Sequence, residues 1–311
     1  MNQANHPSNQ QSNGQPMIRI QSVTKKFGRA AAVNGVSLDI PAGDSVALWG
    51  GNGAGKTTLI RCVLGLIRFQ GSASVGGFDV LKHPKHARRL IGYVPQELAF
   101  YDDLGVAEAI IFFSRLKGLG SPDTGAVLDR VGLRGHERKR VRELSGGMKQ
   151  RLALAVALLG DPPVLILDEV TASLDACGRD EFVALLRRLS GSGRTMLFAS
   201  HRIEEVTTLA RRVVMLDKGA VTAIPDSAAF LGHLGAGPVL HLTIGAHLRD
   251  RAVTLLEGSG FSPTHNGVGL LVPVPQEQKA APFRVLAEHR IQVEDFQLIT
   301  QAQAQRMEPH P

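Results

Sequence analysis

Residues Gly50–Thr58 read GGNGAGKTT and fit the pattern G-x-x-x-x-G-K-[ST]. A short apolar run at 45–49 precedes this stretch and a helical pattern follows it, which is the strand–loop–helix context that the pattern requires. Small residues let successive backbone N–H groups surround a phosphate, and the following helix directs its positive end toward the same anion. Lys56 is expected to reach the β- and γ-phosphates, and the Thr57 hydroxyl to bind Mg²⁺. The predicted phosphate-loop residues are Gly50, Asn52, Gly53, Gly55, Lys56, Thr57 and Thr58.

Two acids follow a second apolar run. Residues 164–167 are Val, Leu, Ile and Leu, and Asp168 and Glu169 come next. A carboxylate at the carboxyl end of a buried strand lies where open α/β sheets bind their ligands. Asp168 is suited to hold Mg²⁺, and Glu169 could orient and polarise the attacking water. A solvated acidic turn would give the same pattern, but the phosphate loop upstream favours the catalytic interpretation.

The order of apolar and helical segments predicts the fold class. Short apolar runs alternate with helical segments over residues 17–232, which indicates an α/β fold of the P-loop type with a buried parallel sheet. Helical segments in succession at about 97–160 interrupt this alternation and predict a helical insert. A Gly/Pro-rich joint at 232–238 then marks a boundary.

The two ends of the chain differ from this central part. Residues 237–311 show a β-α-β-β-α-β order, which predicts a small ferredoxin-like α+β unit whose second strand lies at 261–264. Residues 1–16 contain no Lys, Arg, Asp or Glu and almost nothing to bury, so they are predicted to form a disordered tail.

Composition excludes several classes of protein. The 311 residues include only two cysteines, which excludes a disulfide scaffold and a Cys-rich metal module. The net charge of +7 is compatible with acidic membrane surfaces, nucleotides or nucleic acids, and selects none of them. The longest apolar run, 152–159, is far shorter than the roughly 20 residues that a membrane-spanning helix needs. With no signal peptide visible, the chain is expected to be cytoplasmic.

Further motifs lie before, between and after the phosphate loop and the two acids. Residues 144–151 read LSGGMKQR, and Gln96 closes the tripeptide VPQ. Asp175 ends SLD, His201 follows an apolar run, and Phe27 lies in KFG. Together with the phosphate loop and the acids, and in the order in which they follow one another along the chain, these motifs resemble those of ABC ATPases. The resemblance covers roughly residues 17–230.

The resemblance implies an ATPase with ATP and Mg²⁺ as its ligands. Phe27 would stack on adenine, and the helix that Ser145 opens would bind the γ-phosphate of ATP held by a second copy of the chain. A head-to-tail homodimer is therefore implied. The implied catalytic residues are Lys56, Gln96, Glu169 and His201; the implied Mg²⁺ ligands are Thr57, Gln96 and Asp168; and Ser145, Gly146, Gly147 and Asp175 join the nucleotide-binding set.

The resemblance also implies a membrane partner. FYDDL at 100–104 and FFSRLKG at 112–118 are typical of the separate ATPase subunits of bacterial ABC-2 exporters. A narrower resemblance is to the ATPase that serves maturation of the copper enzyme nitrous oxide reductase. A separate integral membrane permease is implied, with the chain peripheral on the cytoplasmic face of the inner membrane. No nucleic acid is expected as a partner.

The sequence leaves alternatives open for the aromatic segment and for the function. The aromatic side chains of Phe100 and Tyr101 suit a groove at 96–105 that receives a helix of the permease, but they could equally pack inside the helical insert. A soluble ABC ATPase that acts as a clamp on nucleic acid or in cofactor assembly is the second hypothesis. A degenerate ATP-binding regulator is the third, and the intact Lys56, Glu169 and His201 argue against it.

Overall fold

The computed structural model describes residues 15–233, 239–266, 269–275, 278–299 and 304. The chain divides into two compact units, Met1–Ser227 and Ala228–Pro311, and this division lies upstream of the joint predicted at 232–238. Most of the predicted tail and of the joint lies outside the described residues.

The first unit is built on two sheets. Its strands are β1 (Ile18–Phe27), β2 (Ala30–Ile40), β3 (Ser45–Trp49), β4 (Gln70–Val75), β5 (Phe78–Asp79), β6 (Ile91–Val94), β7 (Val164–Asp168), β8 (Thr195–Ala199), β9 (Arg212–Asp217) and β10 (Ala220–Ala223). Every residue of β7 and of β8 is buried, because helices and the other sheet cover the faces of a central parallel sheet.

The central sheet brings four strand ends to one edge. Its strand order is β10-β9-β3-β8-β7-β6; β9, β3, β8, β7 and β6 run parallel, and β10 is antiparallel to β9. Ala199 at the end of β8 is paired with Leu48 of β3 on one side and with Asp168 of β7 on the other. The segments that follow β3, β6, β7 and β8 therefore begin next to one another.

The second sheet of this unit was not predicted. It is antiparallel, in the order β2-β1-β4-β5, and pairs Ile18 with Ile40 at one end of β1. Register shifts occur between Ile20 and Val23 and again before Lys26, so the regular alternation of apolar and polar residues that reveals a strand is broken. The apolar side chains of β1 and β2 nevertheless join those of β3 in one core.

The helices largely follow the predicted pattern. They are α1 (Lys56–Val63), α2 (Pro84–Arg89), α3 (Val106–Leu116), α4 (Thr124–Asp129), α5 (Gly146–Ala157), α6 (Ala176–Ser190), α7 (Ile203–Leu209) and α8 (Ser227–His233), with a 3₁₀ turn at Val141–Glu143. The predicted helical insert corresponds to α3, α4 and α5, between β6 and β7. In the parts of the chain that the structure describes, each helix is too short or too polar to cross a bilayer.

In its described residues, the second unit begins with most of α8 and continues with a four-stranded antiparallel sheet and two further helices. Its other elements are β11 (Val239–Ile244), α9 (Arg249–Gly258), β12 (Thr264–His265), β13 (Leu270–Pro273), α10 (Ala281–Glu288) and β14 (Val293–Ile299). The strand order is β12-β13-β11-β14, so each β-α-β crossover spans one intervening antiparallel strand, as in a ferredoxin-like unit. Leu240, Leu242 and Leu256 lie in its core.

The second strand of this unit is shorter and later than predicted. The prediction placed it at 261–264, whereas β12 comprises Thr264–His265. The Phe261 N–H donates to the Leu256 carbonyl and so continues the end of α9. Pro263 has no N–H to give to a ladder, which keeps it out of the strand.

Candidate nucleotide site

The phosphate loop joins β3 to α1 in a conformation that requires glycine. Gly55 has a φ of +105°, in the left-handed region, and a Cβ there would lie 2.3 Å from the Ala32 carbonyl oxygen. At Gly50 a Cβ would lie 2.4 Å from the Leu216 carbonyl oxygen. The strands on both sides of the loop thus approach it too closely for a side chain. The resulting backbone concavity at the start of α1 fits the phosphates of a nucleotide.

Lys56 is held inside this loop. Its side chain is 5% exposed, and Nζ donates to the carbonyl oxygens of Gly50 at 2.8 Å and of Gly51 at 3.1 Å. The same Nζ lies 3.2 Å from Oε1 of Glu169. A positive charge therefore lies between the predicted phosphate cradle and the predicted base.

Two of the three residues predicted to bind Mg²⁺, Thr57 and Asp168, are in contact. Thr57 Oγ1 donates to Asp168 Oδ1 at 3.0 Å, and Asp168 is buried. Burial raises the pKa of the Asp168 carboxyl, while the hydrogen bond from Thr57 opposes this shift. A divalent cation would favour the ionised carboxylate. A hydroxyl and a carboxylate are ligands that Mg²⁺ accepts, so the pair fits this ion.

Glu169 and His201 meet at the same edge of the central sheet. His201 Nδ1 lies 3.4 Å from Glu169 Oε2, and the Glu169 N–H donates to the Ala199 carbonyl at 3.1 Å. Glu169 has a φ of +48°, which the motif did not reveal. This left-handed conformation is uncommon for a non-glycine residue, but Ser22, Asp161, Lys218 and Arg290 share it, so it accompanies the predicted role of Glu169 and does not establish it.

A cleft of about 330 Å³ is lined by Phe27 and Gln96 as well as by residues of the phosphate loop. Phe27 ends β1 and is 55% exposed, with Lys25 Nζ 4.9 Å from its ring centroid. An exposed ring beside the phosphate loop fits a stacked base. Asn52, Gly53 and Thr58 also line this cleft, and so do Lys56, Thr57 and Glu169. The cleft thus joins most of the predicted phosphate loop to Phe27, Gln96 and Glu169. Asp168 and His201 are not among its lining residues, but they contact Thr57 and Glu169 respectively.

The remaining predicted residues form a second cleft. Ser145, Gly146, Gly147 and Asp175 line a cavity of about 370 Å³ that shares no lining residue with the first. Ser145 caps α5, since its Oγ accepts from the Met148 N–H at 3.3 Å. Asp175 caps α6, because its Oδ1 accepts from the Gly178 N–H at 2.9 Å. Within residues 15–233, the chain thus keeps its phosphate loop and its LSGG segment apart.

Comparison with known proteins is consistent with this geometry. The model of the ABC transporter family matches residues 33–172. The linearmycin resistance ATP-binding protein LnrL of Bacillus subtilis (strain 168) is 33% identical, over 78% of this chain and 83% of that protein. The daunorubicin resistance ATP-binding protein DrrA3 of Streptomyces coeruleorubidus is 34% identical, over 90% and 91% respectively.

A solved structure shows the same fold. The ATP-binding cassette MJ0796, in a dimeric post-hydrolysis state bound to ADP and Pi, superposes with a TM-score of 0.62 at 25% identity. The similarity covers 68% of this chain and 99% of that one. The predicted fold class is confirmed. Relatives that are matched over most of their own length establish the family, and the chain belongs to the ABC transporter family as an ATP-binding, ATP-hydrolysing subunit.

Proposed function

We propose that two copies of the chain close head to tail over two Mg·ATP and that hydrolysis reopens the dimer to drive a separate membrane permease. The observation that carries this proposal is the separation of the two clefts. The phosphate loop and the LSGG segment both suit phosphate, yet they lie in different cavities of one chain. A second copy supplies the missing half of each site. The dimeric state of MJ0796 supports this arrangement.

In this proposal each side chain has a defined task. Lys56 binds the β- and γ-phosphates from within the loop. Thr57 and Asp168 hold the metal ion, and Gln96, which lines the cleft, is its further ligand. Mg²⁺, when bound, neutralises charge on the phosphates. Glu169 orients the attacking water and accepts its proton. His201 donates a hydrogen bond to the γ-phosphate.

Replacing Ser145 with Asp tests the head-to-tail arrangement. Asp is as good a helix cap as Ser, so α5 should keep its start. Its negative charge would lie where the partner's γ-phosphate is expected. In a Glu169→Gln background with Mg·ATP, we expect dimer formation to weaken by at least about tenfold, which corresponds to about 1.4 kcal/mol. Sedimentation equilibrium measures this change.

The matched control is Ser145→Asn, which caps the helix without a charge. It should dimerise more strongly than the Asp variant, and both should bind ATP as monomers with the wild-type affinity. Equal dimer affinity of the Asp and Asn variants would contradict the placement of the γ-phosphate at Ser145.

An exposed aromatic surface supports a membrane partner. Tyr101 is 67% exposed and Phe112 is 37% exposed, and their rings meet edge to face with centroids 6.0 Å apart. Phe100 is only half-buried and contacts Phe113 in the same geometry. The rings pack on one another within the helical insert and still leave apolar area exposed. This aromatic surface suits an apolar helix of a permease.

We place the chain on the cytoplasmic face of the inner membrane, as a peripheral subunit of an exporter. The names of LnrL and DrrA3, which refer to resistance, support export as the direction of transport. The narrower role in nitrous oxide reductase maturation stays a prediction from the sequence, which a cargo assay must test.

A pull-down tests the permease. The Glu169→Gln chain, held with Mg·ATP in gently solubilised native membranes, should co-purify with a multispanning membrane protein. Changing Tyr101 and Phe112 together to Ser should remove that protein, whereas Phe78→Ser, a similarly exposed ring elsewhere, should retain it. Nucleic acid or soluble assembly factors without any membrane chain would instead favour the soluble clamp.

A further inference from the structure

Glu205 is a buried carboxylate that no sequence motif singled out. It lies on α7 and is 6% exposed. The Thr171 hydroxyl donates to its Oε1 at 2.5 Å, and the Ser200 hydroxyl donates to its Oε2 at 2.7 Å. Arg202 Nε lies 3.8 Å from Oε1. Both carboxylate oxygens therefore have partners, as a buried charge requires.

The two hydroxyl donors belong to the two segments that carry the proposed catalytic pair. Thr171 lies in the turn that begins at Glu169, closed by the hydrogen bond from the Ala172 N–H to the Glu169 carbonyl. Ser200 immediately precedes His201, and its Oγ also accepts from the Arg202 N–H at 3.0 Å. Glu205 therefore bridges the chain after β7 to the chain after β8.

We infer that Glu205 is a positioning residue that sets His201 against Glu169 for hydrolysis, an inference that rests on the proposed roles of those two side chains. The two side chains are 3.4 Å apart, and each follows a different strand. One direct backbone hydrogen bond, from the Glu169 N–H to Ala199, joins these segments at the strand ends. The carboxylate of Glu205 adds a second connection. It contacts Ser200, the residue before His201, and Thr171, two residues after Glu169.

A Glu205→Gln variant tests the inference because it keeps the shape and replaces one acceptor oxygen with a donor. We expect kcat to fall about ten- to hundredfold, since misplacement of reacting groups by about 1 Å costs up to about a hundredfold. The KM for ATP should stay within about twofold. Glu204, the exposed neighbour of Glu205, offers the matched control: Glu204→Gln should hydrolyse ATP at the wild-type rate.

A double-mutant cycle separates positioning from general structural support. Single-turnover hydrolysis is measured for the wild type, Glu205→Gln, His201→Ala and the double variant. If Glu205 acts through His201, its substitution should cost little further activity once His201 is absent. An equal fold loss in both backgrounds, or no loss in either, would overturn the inference. If the wild type does not hydrolyse ATP, the proposed function fails. If it hydrolyses ATP but the cycle shows no coupling between Glu205 and His201, only the inference about Glu205 fails.

Milder variants guard against unfolding. Thr171→Val and Ser200→Ala each remove one donor and leave Glu205 in place. Each should lower kcat without raising KM, and should show the same dependence on His201. Wild-type kcat in both variants would count against the bridge even if Glu205→Gln failed to fold.

Discussion

The Glu169→Gln chain is expected to bind Mg·ATP and form a stable dimer while hydrolysing almost none of it. General-base catalysis contributes about 10²- to 10⁴-fold, so we expect kcat to fall about a thousandfold. The amide keeps the shape of the side chain and can still accept from Lys56, which now contacts Glu169 at 3.2 Å. The affinity for ATP should therefore stay within about threefold. Phosphate release measures kcat, and gel filtration measures the dimer.

The control is Glu257→Gln, which removes the same charge from an exposed position in the second unit. It should leave both kcat and dimer formation at the wild-type level. Equal turnover in Glu169→Gln and the wild type would show that Glu169 is not the base. Another group in the cleft would then have to activate the water.

Replacing Lys56 with Met should abolish tight ATP binding. Met has a similar length and no charge. Its side chain should therefore still pack inside the loop, but it cannot make the charge-assisted hydrogen bonds that Lys56 would give to two phosphates. Such bonds contribute about 1.5–3 kcal/mol each, so we expect the Kd for ATP to rise at least about a hundredfold. The fluorescence of Trp49, at the end of β3 beside the loop, can follow the titration.

Two controls separate this binding loss from unfolding. Lys56→Met leaves the mostly buried Glu169 carboxylate without its nearest cation, so the melting temperature should fall. The double variant Lys56→Met, Glu169→Gln should recover stability and still fail to bind ATP. Lys82→Ala, at an exposed lysine, should change neither property. Wild-type ATP affinity in Lys56→Met would contradict the proposed phosphate contact.

Short-range patterns were sufficient to predict the fold class and the ATPase family of this chain. The phosphate loop depends on residues within one strand–loop–helix unit, so its glycines and Lys56 could be identified before any tertiary contact was known. The buried strands β3, β7 and β8 were equally evident, because a parallel sheet covered on both faces gives unbroken apolar runs. The predicted α/β fold and the ABC resemblance followed from these local signals and are confirmed.

Features that depend on pairing between distant parts of the chain were not predicted from the sequence. The antiparallel sheet of β1, β2, β4 and β5 escaped prediction since its bulges disturb the alternation that marks a strand. The two-residue β12 is defined by its pairing with β13, a long-range feature that the local pattern misplaced. The burial of Glu205 likewise depends on residues far along the chain, since Thr171 lies 34 positions away.

The sequence by itself determined which groups are present and in what order: a phosphate loop, an LSGG segment, the two acids predicted to hold the metal ion and to act as the base, and a histidine. A local motif carries that information because its function depends on spacing over a few residues. Only the tertiary structure decided where these groups meet. Parallel pairing brings the ends of β3, β7 and β8 to one edge, while α5 and α6 carry Ser145 and Asp175 to a separate cleft. That separation, which no local pattern encodes, is the physical reason for proposing that a second copy completes the site.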